Sequence, residues 1–367
     1  MPASPLSVQL VDPSAFTPPY DHALAGALAR AGVRVELVTS RFAYGDVPRA
    51  EGYVVDERFY RWAPGAAGSS LRRAAKLAQH VPDMLRYRRH ARTADVVHFQ
   101  WLTVQPLDVH LLPTRAPLVL TAHDVLPREP RPGQLDAQRR LYERVDAVVV
   151  HSEHGASRLR DELGIDPARV HVIPHGAFTH FDGTAPLPPD LAAVKKPVVL
   201  CFGLMRPYKG IDLLLEAWRG IAGAELWIVG LPKMDTAPLR AAAPPGVRFV
   251  ERFVADAELP AFFRRADLVV LPYREIDQSG VLYTALGFGK PLLLSAVGGF
   301  PEVAATGAAE LVPPGDPAAL HAALTRLLAD PAARERLSAA AREAAAGPYS
   351  WDAIATRHRA LYETLRR

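Results

Sequence analysis

The chain has 367 residues, 49% of them hydrophobic and 22% charged, with a formal net charge of +4. That is ample for a large core, and at roughly 100–200 residues per domain it points to two domains. The one cysteine, Cys201, excludes an intrachain disulfide framework and reads as a buried small apolar residue; basic residues not interleaved with aromatics argue against nucleic acid as a partner, and no stretch approaches the ~18 apolar residues of a membrane-spanning helix.

In chain order, MPASPLSVQLVDP lacks the charged and apolar regions of a secretory signal, so a cytoplasmic protein is expected. Ser7–Asp12 is a short apolar run that predicts a strand, and Tyr20, Asp21 and His22 fall in the loop after it. His22–Gly32 has helical spacing and ends at glycine. VRVELVTS is a second strand, and Leu71–Arg92 reads as two short amphipathic helices divided by Pro82. Strands follow at Asp95–Gln100, Leu118–Asp124, Ala147–Ser152 and Val170–Gly176, with helical segments between several of them. Asp182–Pro197 is Pro-rich and aperiodic, a linker candidate, after which the pattern restarts with PVVLCFG, ELWIVG, VRFVERF, LVVLPY and PLLLSAVGG. The tail is helical and broken at Gly347-Pro348. Continuous apolar strands separated by helices mean parallel sheets covered on both faces. The expected fold class is α/β, with domains at 1–185 and 186–348. Two such domains can face each other across a cleft, and ligands bind beyond the carboxyl ends of their strands.

Three post-strand loops in the second half carry chemistry. Gly203–Gly210 (GLMRPYKG) places two cations, Arg206 and Lys209, at a strand end, where they suit a diphosphate; the plain alternative is a solvated turn. It is not a P-loop, because Gly follows the Lys. In Leu271–Val281, the run Ser279-Gly280-Val281 opens a helix whose unpaired N–H groups and dipole make an anion site, with Glu275 and Asp277 just ahead of it. The plain reading there is a serine cap with acids favouring the helix start. Val297–Glu302 pairs two glycines at a strand end, with Glu302 read as structural. In the first half, His98, Gln100 and Trp101 follow one strand, His123 and Asp124 another, and His175-Gly176 the last. Together they mark one polar edge.

These phrases carry a resemblance. GLMRPYKGIDLLLEAW, LPYREIDQSGVLYTALGFGKP, SAVGGFPEV and SWDAIATRHRALYETL are similar to the large retaining glycosyltransferase family 4, which has the GT-B fold. FTPPYDHALAGALA, DVVHFQW and TAHDVLPRE resemble one bacterial branch of it. The resemblance covers nearly all of the chain and implies two facing Rossmann-like domains with a cleft between them. It implies an acceptor-binding first domain, a nucleotide-sugar-binding second domain, and a helix at 349–367 crossing back to the first. By position, it gives Arg206 and Lys209 to the donor diphosphate, His123 to the donor sugar, and Gly203, Ser279, Gly280 and Val281 to the phosphate cradle. Asp277, three residues before Gly280, is preferred over Glu275 for the first glutamate of the family's second loop. The later family glutamate, which binds ribose, is Thr284 here, and SAFTPPYDH lacks the usual glycine pair. Acceptor contacts are expected from Tyr20, Asp21, His98, Trp101 and Asp124.

The expectation is a hexosyltransferase-like enzyme that moves a sugar with retention from a nucleotide diphosphate sugar, its co-substrate, to a hydroxyl. No further cofactor is expected. No metal is expected either, since no two aspartates stand two apart and the cations can replace the ion. Leu71–Arg92 carries Arg72, Arg73, Lys76, Arg86, Arg88, Arg89 and Arg92 against one acid, Asp83. Such a segment can lie on an anionic membrane, which favours a lipid or lipid-linked cell-envelope glycan acceptor, reached from the cytoplasmic face. The rival readings are a catalytically reduced GT-B protein that binds a nucleotide sugar or a partner enzyme, which Thr284 favours, and a sugar-nucleotide epimerase.

Overall fold

The computed structural model describes residues 5–66, 68–127 and 130–366. The chain forms two compact units, Met1–Gly176 with Trp351–Arg367, and Ala177–Ser350. The first holds strands β1 (Ser7–Asp12), β2 (Arg34–Ser40), β3 (Val54–Phe59), β4 (Val96–Phe99), β5 (Leu118–Thr121), β6 (Ala147–Val150) and β7 (Val170–Val172). Its helices are α1 (Pro18–Arg30), α2 (Ser70–His90), α3 (Gln105–Leu111), α4 (Gln134–Arg144) and α5 (Glu153–Ser157). The second holds β8 (Val198–Phe202), β9 (Glu225–Val229), β10 (Val247–Val250), β11 (Leu268–Leu271), β12 (Leu292–Ser295) and β13 (Ala309–Val312). Between and after them run α6 (Pro189–Ala192), α7 (Ile211–Ala217), α8 (Ala237–Ala242), α9 (Leu259–Arg265), α10 (Gly280–Gly287), α11 (Phe300–Ala304), α12 (Pro317–Ala329) and α13 (Pro331–Ala346). Helix α14 (Trp351–Leu365) belongs with the first unit.

The first sheet runs β3-β2-β1-β4-β5-β6-β7 and the second β10-β9-β8-β11-β12-β13, every pairing parallel. The central strands β4, β5, β6, β11 and β12 are buried throughout, which is why they read as unbroken Val/Leu runs. Strand order reverses between β1 and β4 in one sheet and between β8 and β11 in the other. Those are the switch points where such sheets bind ligands.

Four sequence expectations change. Helix α1 starts at Pro18, where proline's fixed φ and missing N–H suit a first turn; Tyr20, Asp21 and His22 are therefore buried helical residues, not loop residues. Helix α2 runs unbroken through Pro82, because His80, Asp83, Met84 and Tyr87 are buried around the proline and packing carries the helix through it. The Pro-rich stretch at 182–197 lies inside the second unit. The chain enters that unit earlier: the Ala177 N–H donates to Tyr349 O (2.7 Å) and the Phe178 N–H to Tyr283 O (3.1 Å). Edge strands β3 and β13 were not anticipated, since their half-exposed sequences VVDERF and AELV carry no apolar run.

Candidate active site

At the β8/β11 switch point the glycines set the geometry. Gly203 (φ +107°) follows β8; a Cβ there would come within 2.7 Å of Lys209 Nζ and 3.0 Å of Val281 Cγ2. Gly210 (φ +65°) ends the same loop, where a Cβ would overlap the Pro272 carbonyl oxygen. The loop after β8, the Lys209 ammonium and the first turn of α10 thus converge on one point. Lys209 is only 4% exposed. Its ammonium donates to Phe202 O (3.3 Å) and sits 4.9 Å from the centre of the Tyr273 ring. Ser279 caps α10 without spending its side chain on a backbone N–H; its Oγ lies 3.5 Å from the Tyr273 hydroxyl. Gly280 is exposed, with open space where a Cβ would stand. A helix start of this kind, with a fixed cation beside it, has the charge and free N–H groups that favour an anion.

Arg206 is half-buried and lines a groove of about 650 Å³ with Tyr208, Ile211, Met234, Arg274 and Glu275. Arg274 grips Asp212 through two hydrogen bonds of 2.8 and 2.6 Å, which holds that carboxyl below its ordinary range. Of the two acids ahead of α10, Glu275 is exposed and Asp277 buried. The Asp277 segment is pinned from behind: the Gly299 N–H donates to Asp277 O (3.2 Å), and a Cβ on Gly298 would overlap Ile276 O. Thr284 is buried, and its hydroxyl donates to Gly280 O one turn back (2.9 Å).

In the first unit, buried aromatics and histidines fill the strand ends. The Tyr20 ring lies edge-on to His123 (4.7 Å), His175 (4.9 Å) and Trp351 (5.1 Å). Trp101 stacks on His123 at 4.7 Å and donates from Nε1 to Thr17 Oγ1 (2.9 Å). Burial pushes His151 down to about 4 and lowers His98, His123 and His175 as well. Asp12, at the end of β1, accepts from the N–H groups of Ser14, Phe16 and Thr17 and bonds to the Asp21 carboxyl. Burial raises both carboxyls, so the pair shares a proton.

Of the residues expected to contact an acceptor, Trp101 and Asp124 line a 190 Å³ pocket with His123. His98 stands apart: its ring nitrogens lie 2.6 Å from the Tyr362 hydroxyl and 2.7 Å from Thr121 Oγ1, all buried. It ties β4 to α14 and has no nitrogen to spare for a ligand. Tyr20 and Asp21 are sealed in the interior. The pocket also takes Gln100, Gln105, Gln134 and Gln138, which come from the end of β4, from α3 and from α4; only Gln100 had a strand-end position to signal it. Arg128 and Glu129, at the end of TAHDVLPRE, lie outside the described residues. Among the described residues, Glu36, Asp56 and His90 could hold a metal ion. Their carboxylates are already engaged, Glu36 by Gln9 and His90 and Asp56 by Arg58 and Arg61.

Two family models match the chain, Glycosyltransferase Family 4 over residues 20–180 and Glycosyl transferases group 1 over residues 196–330. The chain belongs to glycosyltransferase family 4. Among similar family-4 proteins, a D-inositol 3-phosphate glycosyltransferase of Kineococcus radiotolerans is 29% identical, covering 90% of this chain and 86% of the relative. A phosphatidyl-myo-inositol mannosyltransferase of Mycobacterium leprae is 31% identical over 62% of this chain and 61% of its own. A solved Anabaena protein, HepE in complex with UDP-glucose, superposes with a TM-score of 0.74 at 18% identity, covering 98% of this chain and 100% of that one. The fold is that of the GT-B glycosyltransferases.

Proposed function

We propose that this family-4 glycosyltransferase moves a sugar, with retention at the anomeric carbon and without a metal ion, from a nucleotide diphosphate sugar to a hydroxyl of a lipid-linked or cell-envelope glycan. The observation that carries the donor half is the convergence of Lys209, Gly203 and the first turn of α10. As the glycosidic bond breaks, its electron pair stays with the departing diphosphate. A buried ammonium and the free N–H groups at a helix start stabilise that growing charge, usually the largest contribution such a site can make. Arg206 adds a second cation at the rim. The leaving phosphate oxygen is basic enough to take the acceptor proton on the same face, so no dedicated protein base is assigned. On this reading Asp277, buried just ahead of α10, holds donor-sugar hydroxyls.

The acceptor half rests on α2. Its leucines Leu71, Leu77 and Leu85 are 60%, 56% and 44% exposed, and Arg73, Arg86 and Arg89 are exposed beside them. An apolar stripe turned to solvent with cations along it suits an anionic membrane surface. Among the described residues no helix is long and apolar enough to cross a membrane, and the proposed location is peripheral, on the cytoplasmic face.

The test is nucleoside diphosphate release from a panel of nucleotide sugars, with and without membrane lipid extract and with EDTA. Lipid-dependent release that EDTA leaves intact is expected. Loss of turnover in EDTA, restored by magnesium or manganese, would overturn the metal-free mechanism. A second reading draws on Thr284, whose hydroxyl proton is committed to Gly280 O: a reduced protein that binds a nucleotide sugar without turning it over. Binding of donors with no release from any of them would favour it.

A further inference from the structure

The switch point of the first unit lies between β1 and β4, and the loops that follow those two strands are joined twice. Ser14 Oγ lies 3.3 Å from Thr103 Oγ1. Two residues along each loop, the Phe16 ring packs on Trp101 with ring centres 4.4 Å apart. The two bridges run side by side, because they link the same pair of loops at the same spacing. Both are open to solvent on their outer side: Phe16 is 59% exposed, and Thr103 is exposed as well. This is the edge of the sheet where ligands of such folds bind.

A single exposed aromatic on a loose loop is ordinary, but this loop is clamped. The Asp12 carboxylate, buried at the end of β1, accepts from the N–H groups of Ser14, Phe16 and Thr17, and Thr17 Oγ1 accepts from Trp101 Nε1. Ala15 is held at φ +50° between them, and Tyr60, just after β3, at φ +53°; among the described residues no other non-glycine has a positive φ. Backbone strain of this kind persists only where the surroundings impose it, and it gathers at ligand sites. Tyr60 belongs to the same place. The Ser14 hydroxyl bonds its oxygen, which also lies 2.7 Å from His80 Nδ1, and His80 Nε2 donates to the Asp108 carboxylate at 2.6 Å. A chain of polar groups thus runs from the interior to the Ser14 and Thr103 hydroxyls and fixes where they stand.

What fits this surface is a ring with an apolar face and a polar edge. A pyranose has both: C–H groups on a face that packs against an aromatic ring, and hydroxyls at the edge that donate and accept in exchange with Ser14 and Thr103. An acyclic polyol has the hydroxyls without the face.

We propose that Phe16, Ser14 and Thr103, resting on the glycosyltransferase reading above, form a subsite for a pyranose ring of the acceptor, which makes the acceptor a glycoside and not a bare lipid alcohol.

The test uses the full chain with UDP or GDP, whichever raises its melting temperature. Saturation-transfer NMR then compares the methyl glycosides of mannose, glucose and galactose with sorbitol. At least one glycoside should bind at least ten-fold more tightly than sorbitol, with transfer strongest to the ring protons of one face. Phe16→Ala should weaken that glycoside at least ten-fold with nucleotide affinity retained, while Phe16→Tyr, which keeps the ring, should retain it. Ser14→Ala combined with Thr103→Val should also weaken it. Glycosides binding no better than sorbitol, indifference to Phe16→Ala, equal loss in Phe16→Tyr, or indifference to the double variant overturns the proposal. If neither nucleotide raises the melting temperature, the donor reading itself falls and takes the acceptor role of this subsite with it. Nucleotide binding together with glycosides that ignore Phe16 overturns this inference alone.

Discussion

Lys209 and Arg206 come from one loop but occupy different surroundings. The Lys209 ammonium is buried against the Phe202 carbonyl and the Tyr273 ring, while Arg206 is half-buried at the rim of the 650 Å³ groove. A charged hydrogen bond to a ligand contributes roughly 1.5–3 kcal/mol, so Lys209→Ala and Arg206→Ala should each lower kcat/KM at least ten- to a hundred-fold. Lys209→Ala should cost more, because its ion is held where water screens it least. Turnover at the wild-type level in both variants would move the diphosphate elsewhere. Asp277→Asn should cost more activity than Glu275→Gln, since Asp277 is buried beside the α10 start and Glu275 is exposed; the reverse ranking would give the role to Glu275. The position of the loop after β8 was legible in sequence because a glycine directly after an unbroken apolar run marks a strand end. The glutamine pocket was not, because an amide is chemically unremarkable and its members come from α3, α4 and the end of β4.

At the scale of elements, α2 is where packing overrode a local signal. Proline predicted a break, but Met84 and Tyr87 bury against the first unit's core and carry the helix through. The continuous helix then displays Leu71, Leu77 and Leu85 together. Each Lys or Arg near an anionic surface adds about 1 kcal/mol. The chain should therefore co-sediment with phosphatidylglycerol-containing vesicles and not with neutral ones. Binding should weaken in high salt and be largely lost on changing Arg86, Arg88 and Arg89 to Glu, or Leu71, Leu77 and Leu85 to Ser. Equal recovery in the supernatant with and without anionic lipid would argue for a soluble acceptor. The strands were legible wherever both faces are covered; β3 and β13 lie at sheet edges, where solvent removes the apolar run on which recognition depends.

For the whole molecule, the buried neutral histidines set a limit on acid tolerance. His151 and His358 are pushed down to about 4, and His98, His123 and His175 are lowered too, in each case mainly by burial. Below the ordinary histidine value of 6.5 the unfolded chain takes up protons that the folded chain refuses, so stability falls as pH drops from about 6.5 toward 4. Asp12 and Asp21, raised by burial, act in the opposite sense, but two carboxyls do not offset five imidazoles. The melting temperature should fall steadily between pH 7 and pH 5, and a flat profile would contradict the neutral array. Asp21→Asn, which keeps a donor toward Asp12 without a proton to lose, should raise the melting temperature at pH 8.

The return of α14 to the first unit also fixes an order of events during synthesis. Trp351, Ile354, His358 and Tyr362 are all buried in that unit, and Tyr362 supplies the hydroxyl that His98 needs from 264 positions away. The ribosome makes residues 177–350 before any of them. At roughly 5–20 residues per second, that interval is on the order of ten to thirty seconds, during which the nascent first unit stands with the α14-facing side of α1 uncovered. The second unit, contiguous in the chain, has every strand it needs before the first can close. The part of the enzyme translated first is the last to be completed, and its exposed face is where a chaperone would find the growing chain.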